Sequence, residues 1–117
     1  MIILTIRTEK ADSEIGVYDG NKQLAYDSWK AHRLLAETIH TKIAALLKSI
    51  DKDWGDIEAI LCFSGPGSFT GLRIGLAVAN SLALGLSVPI VATNTDEWIN
   101  IGINKLLSGQ NDKISMP

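Results

Sequence analysis

Apolar residues in this chain fall first into short β-branched runs and then into longer stretches with helical spacing. Ile2-Ile3-Leu4-Thr5-Ile6 is a nearly continuous apolar run ending at Arg7-Thr8-Glu9-Lys10, the pattern of a central strand buried on both faces. Ile15 and Val17 alternate with polar neighbours up to Asp19-Gly20-Asn21, a strong turn signal, and Leu24, Tyr26 and the approach to Trp29 repeat the alternation. Such short connections make neighbouring strands antiparallel, so this part predicts a three-stranded meander. From about Arg33 the period changes. Leu35, Ile39, Ile43, Leu46 and Ile50 fall on one face of an amphipathic helix, and Arg33, Glu37, His40, Thr41, Lys48 and alanines fall on the other. Asp51-Lys52-Asp53 ends that helix ahead of Trp54-Gly55.

Asp56 leads into a fourth strand, Ile57 to Phe63, which breaks into a glycine loop. The second helix, Gly71 to Leu86, is apolar on nearly every side, so the sheet and something else must cover it. Gly71, Gly75, Ala79 and Ala83 recur every fourth residue, a small-residue ridge that lets the sheet or a partner helix come close. Gly85-Leu86-Ser87 closes the helix. Val88-Pro89-Ile90-Val91-Ala92-Thr93 supplies a fifth strand, with Pro89 where a missing donor is tolerated. A helix between two strands implies a parallel crossover. Thr95 or Asp96 is the expected cap of a third helix through Trp98, Ile99, Ile103, Leu106 and Leu107. The resulting order, βββαβαβα, predicts an α/β fold with a mixed five-stranded sheet flanked by helices: the ribonuclease H-like plan, which is the half-domain of the actin-like ATPases. One domain over residues 1–107 and a polar, flexible tail over 108–117 are expected.

With 117 residues the chain builds one core rather than two. Its net charge of −2, from 11 basic and 13 acidic residues without a basic run, argues against a free-standing nucleic-acid binder. Contact with RNA is therefore expected only through a partner. Cys62, the single cysteine, lies in an apolar run; it excludes an internal disulfide and fits a reducing compartment, the cytoplasm. No leader pattern opens the chain. Leu72 to Leu86 is short and interrupted by Arg73, Asn80 and Ser81, which sets aside a membrane span.

The loop residues Gly65, Gly67, Ser68, Thr70 and Gly71 stand where a helix N-terminus could hold a phosphate. A P-loop needs Lys followed by Ser or Thr after its last glycine, and here Leu72-Arg73 follows Gly71. A dinucleotide fingerprint needs a glycine at Thr70. The competing reading is a tight strand-to-helix turn capped by Ser68 or Thr70, and the missing groups weigh toward it. Ser64 and Ser68 form no nucleophile elbow. His32 and His40 lack the spacing of metal ligands. No catalytic or metal-binding residue is assigned.

The stretch Ser64-Gly65-Pro66-Gly67-Ser68-Phe69-Thr70-Gly71-Leu72-Arg73-Ile74-Gly75 resembles the TsaB (YeaZ) family, the companion subunit in bacterial synthesis of threonylcarbamoyladenosine on tRNA. The likeness continues to Leu86 and Val88-Pro89-Ile90-Val91, and more loosely back to Ile2 to Ile6. It covers about residues 1–107, the family's amino-terminal domain; the second domain has no counterpart here. The resemblance implies an actin-like fold without catalytic groups, acting by binding the related catalytic subunit TsaD. It also implies pairing through the first two helices with TsaD or with a second copy, and no contact with a membrane. No cofactor of its own is implied, ATP or ADP at an interface shared with the partner being the candidate. On this basis the partner face comprises Arg33, Glu37, His40 and Ala44 on the first helix, and Arg73, Leu76, Ala77, Asn80 and Leu84 on the second. One departure stands out: Arg7 replaces the acidic residue that usually follows the first strand. The competing readings are a small nucleotide-dependent enzyme using Gly65 to Gly71, a peptidase, and a structural homodimer without a role in tRNA modification.

Overall fold

The first strand, β1 (Ile2–Arg7), lies at the centre of the sheet, and its nearly continuous apolar run follows from that position. The structure, a computed structural model, describes residues 1–31, 34–67 and 69–112. The other strands are β2 (Asp12–Asp19), β3 (Lys22–Lys30), β4 (Ala59–Phe63) and β5 (Ile90–Thr93), in the spatial order β3-β2-β1-β4-β5. The β1–β2 and β2–β3 pairs are antiparallel; the β1–β4 and β4–β5 pairs are parallel. This is the ribonuclease H-like arrangement that the element order predicts.

Two helices, α1 (Leu35–Lys48) and α2 (Phe69–Leu86), cover one face of the sheet; α3 (Trp98–Leu107) covers the other. Leu4 and Ile6 of β1 join Ile15, Val17, Ile60 and Cys62 under α1 and α2, while Ile3 joins Ala59, Leu61, Phe63 and Val91 under Trp98, Ile103 and Leu106 of α3. Alternate β1 residues thus feed two cores, and each fully buried aliphatic side chain contributes about 1.5–3 kcal/mol. The apolar stripe of α1 docks through Leu35, Ile39, Ile43, Leu46 and Leu47. Gly75, Ala79 and Ala83 of the small-residue ridge on α2 are buried, so this ridge serves packing within the domain.

Several element ends differ from the expected ones. β4 starts at Ala59 rather than Ile57, because Trp54–Asp56 forms a 3-10 turn that uses up the preceding residues. Asp53 and Asp56 cap that turn reciprocally: Gly55 N–H donates to Asp53 Oδ1 at 3.0 Å and Asp53 N–H to Asp56 Oδ2 at 2.9 Å. Neither Thr95 nor Asp96 caps α3 through its side chain; Glu97 is the cap residue, without a side-chain bond, and Trp98 N–H donates to the Thr95 carbonyl at 3.0 Å. Gly85 does not close α2 but lies inside it. Ser87 takes the left-handed conformation at φ 57°, its N–H donating to Leu84 O at 3.3 Å and Val88 N–H to Ala83 O at 3.0 Å. The same double closure ends α1 at Asp51 and α3 at Gly109. Residues 108–112, expected to open a flexible tail, are hydrogen-bonded along β5 through Asn111 and Asp112; 113–117 lie outside the described residues. Among the described residues no helix is long and apolar enough to cross a membrane.

Candidate functional site

Because β4 runs parallel to β1, the carboxyl ends of the two strands stand side by side, and Arg7-Thr8-Glu9 meets the glycine loop. Thr8, almost fully buried, donates its hydroxyl to the Gly71 carbonyl at 2.7 Å. One turn further along α2, a Cβ on Gly75 would collide with Thr8 Oγ1 and stand 3.1 Å from Thr8 Cβ and Cγ2. A Cβ on Gly67 would collide with Cβ and Cγ of Glu9. These two glycines are required for close approach to the end of β1. Gly65 adopts φ 116° and precedes a cis peptide bond to Pro66.

Glu9 is itself only 8% exposed, and its carboxylate is held by Arg7. Arg7 Nε and Nη2 donate to Glu9 Oε1 and Oε2, both at 2.8 Å, and the guanidinium carbon lies 4.0 Å from the centroid of the Phe63 ring. The Glu9 bond raises the Arg7 pKa, against the opposing pull of burial. The position where the resemblance expects an acidic residue is thus occupied by a cation already engaged internally. A neighbouring cluster sits on the same side of the sheet: Glu14 accepts from Lys10 Nζ at 2.8 Å and from Tyr26 Oη at 2.9 Å. Burial pushes the Glu14 carboxyl up, but the bonds from Lys10 and Tyr26 hold it below the usual range. Thr70 lies within the first turn of α2 and does not cap it; Ser68 lies outside the described residues.

The predicted partner residues are only partly brought together. Glu37, His40 and Ala44 are exposed along one line of α1, and Arg33 lies outside the described residues. On α2, Arg73 and Leu84 are exposed and Ala77 and Asn80 half-buried, again on one line. Leu76 is a correction: at 5% exposure it points into the core beneath the helix, because the apolar surface of α2 that meets β1 and β4 passes through it. Leu84 is 83% exposed, the most exposed large apolar side chain among the described residues. On another flank of α2 an open groove of ≈ 390 Å³ is lined by His40, Trp54, Ser81, Leu82, Gly85 and Leu86. The His40 and Trp54 rings stand 6.2 Å apart within it. Trp54, Leu82 and Leu86 were not among the predicted interface residues; for Leu82 and Leu86 the apolar completeness of α2 was the signal in the sequence. Among the described residues no group of three His, Cys, Asp or Glu could hold a metal. Burial pushes the Cys62 thiol up to about 12, far from a nucleophile's range.

The model of the family described as "TsaD: tRNA N6-adenosine threonylcarbamoyltransferase" matches residues 29–106, more than half of the chain. The TsaB tRNA threonylcarbamoyladenosine biosynthesis protein of Escherichia coli is 37% identical over 70 residues, covering 56% of this chain and 30% of that protein. TsaB of Bacillus subtilis is 40% identical over 57 residues, covering 49% and 25%. The chain thus aligns with less than a third of the length of these relatives. The solved structure of YeaZ from Pseudomonas aeruginosa superposes with a TM-score of 0.73 at 26% identity, covering 80% of this chain and 43% of that one. By the family model, and by sequence and structure together, this chain belongs to the TsaD family and, within it, to the TsaB (YeaZ) proteins.

Proposed function

We propose that this chain is a non-catalytic partner subunit in threonylcarbamoyladenosine synthesis on tRNA, docking its α1–α2 face onto a TsaD-like catalytic subunit. The observation that carries the reading is Leu84, 83% exposed on the same line of α2 as Arg73, Ala77 and Asn80. A large apolar side chain exposed to this degree suits a protein interface better than open water. A stable complex of this kind buries on the order of 1,200 Å² or more. Glu37, His40, Ala44, Arg73, Ala77 and Asn80 would frame the contact. The glycine loop supports a non-catalytic role, since Cβ and Cγ of Glu9 pack onto Gly67 and take up space beside the loop that a phosphate would need. Any ATP or ADP would then be held with groups of the partner, and tRNA would be reached through it.

The same face can accept a second copy of the chain, so homodimer and mixed complex compete for it. Co-purification with TsaD from the same organism, followed by a tRNA-modification assay with and without this chain, tests the reading. Leu84→Glu is expected to weaken TsaD capture at least tenfold, about 1.4 kcal/mol, without unfolding the chain. Capture unchanged by Leu84→Glu, or modification indifferent to the chain, would overturn it.

A further inference from the structure

The two edges of the sheet are treated differently. The β3 edge carries Lys22 and Lys30 at its ends, charges that discourage strand addition. The β5 edge, Ile90-Val91-Ala92-Thr93, carries none. Pairing with β4 turns the carbonyls of Pro89 and Thr93 inward, where they accept from Ile60 N–H and Ser64 N–H, both at 2.9 Å. Strand alternation then directs the backbone groups of Ile90 and Ala92 outward.

Ile90 N–H, Ile90 O and Ala92 N–H are met by two residues rather than by a strand. Ile90 N–H donates to Asn111 Oδ1 at 3.0 Å and Ala92 N–H to Asp112 Oδ2 at 3.3 Å, while Asp112 N–H donates to Ile90 O at 2.6 Å. Gln110 Nε2 steadies the Asp112 carboxylate at 2.7 Å. The chain reaches this position because α3 closes at Gly109, φ 92°, with Gln110 N–H donating to Lys105 O at 3.0 Å. Among the described residues, two of the three bonds across the edge therefore use side-chain oxygens in place of a neighbouring strand's carbonyls.

We propose that Asn111 and Asp112 are a displaceable guard on the β5 edge, and that the occupant they hold off is β5 of a second copy of this chain. The edge is complementary to itself. A twofold axis through Val91 sets Ile90 opposite Ala92 of the other copy, and each such pair exchanges two backbone hydrogen bonds. Four residues without charge or an interior proline leave nothing in β5 to oppose that pairing.

The test uses the full chain, with Asn111→Ala/Asp112→Ala against wild type, reading amide exchange at Ile90 and Ala92 by NMR at low and high protein concentration, beside the mass in solution. In the wild type, exchange at both amides is expected to be independent of concentration. In the double variant it is expected to be about tenfold faster at low concentration, and to slow again at high concentration as dimer forms. Exchange in the double variant that stays as slow as wild type at low concentration, or stays fast at every concentration, overturns the proposal. Val91 and Thr93 amides, bonded to β4, report whether the fold is intact. Should they lose protection, Asn111→Ala alone exposes Ile90 N–H and repeats the test there. Leu84→Glu in the double-variant background leaves this protection in place, so failure of the edge pairing and failure of the α1–α2 interface are read separately.

Discussion

Gly75→Ala is expected to destabilise the protein although it places a better helix former inside α2. The helix gain is about 0.8–1.0 kcal/mol. Against it, the new methyl falls on Thr8 Oγ1, and Thr8 is 3% exposed, so its side chain has little room to retreat. Overpacking costs about 1–3 kcal/mol, and displacing the hydroxyl from the Gly71 carbonyl removes a bond worth about 0.5–1.5 kcal/mol. The net expectation is a loss of about 2 kcal/mol. Thr8→Ala alone should lose about 1–2 kcal/mol, from the same hydrogen bond and one buried methyl. In the Thr8→Ala background the obstruction is gone apart from a Cβ at 3.1 Å, so Gly75→Ala should there be near neutral or slightly stabilising. Urea unfolding of the wild type, both single variants and the double variant closes the cycle. A coupling of about 1.5–3 kcal/mol in favour of the double variant is expected. Additive effects, or a stabilising Gly75→Ala by itself, would refute the view that Thr8 sets the height of α2 above the sheet.

Two other outcomes follow from the titrating groups. Cys62, buried with its thiol pushed up to about 12, should resist iodoacetamide at pH 8 in the native protein and react fully in denaturant; native labelling at the rate of a free thiol would contradict its burial. Glu14 titrates below the usual range when folded, so its contribution is complete above about pH 4.3 and is lost as pH falls through its folded pKa. The urea midpoint of the wild type should therefore drop toward that of Glu14→Gln between pH 5 and 3, with Lys10, Tyr26 and Arg7 unchanged; parallel curves would remove Glu14 from the account.

Local pattern carried the sheet and helices because burial and periodicity are local signals. The run Ile2 to Ile6 announced a strand covered on both faces, and the spacing of Leu35, Ile39, Ile43 and Leu46 placed one face of α1. Ends were less legible, since Ser87 and Asp51 accept a left-handed conformation usually left to glycine, and Asp53 and Asp56 divert Ile57 from the strand. The site was legible only on one side. The loop motif and the exposed line from Arg73 to Leu84 lie within one stretch of chain, whereas the Thr8–Gly71 bond joins residues 63 apart in sequence. Glu9 on Gly67 depends on β1 pairing with β4, which no window around either residue contains. Leu76 was misplaced for a related reason: when a helix is apolar all round, composition does not say which side meets the sheet.

The Arg7–Glu9 pair ties the fate of two positions together. An aspartate at position 7 would set a second carboxylate beside Glu9, with Glu14 across the β1–β2 ladder and Asp96 close enough to act on the same charge. Placing an acidic residue there in one step would therefore strand Glu9 buried without its cation and add repulsion. Substitution at Glu9 alone would in turn leave Arg7 stacked on Phe63 with its main acceptor gone. The two positions are therefore coupled: changing either one alone passes through a less stable protein, and only a paired change avoids it.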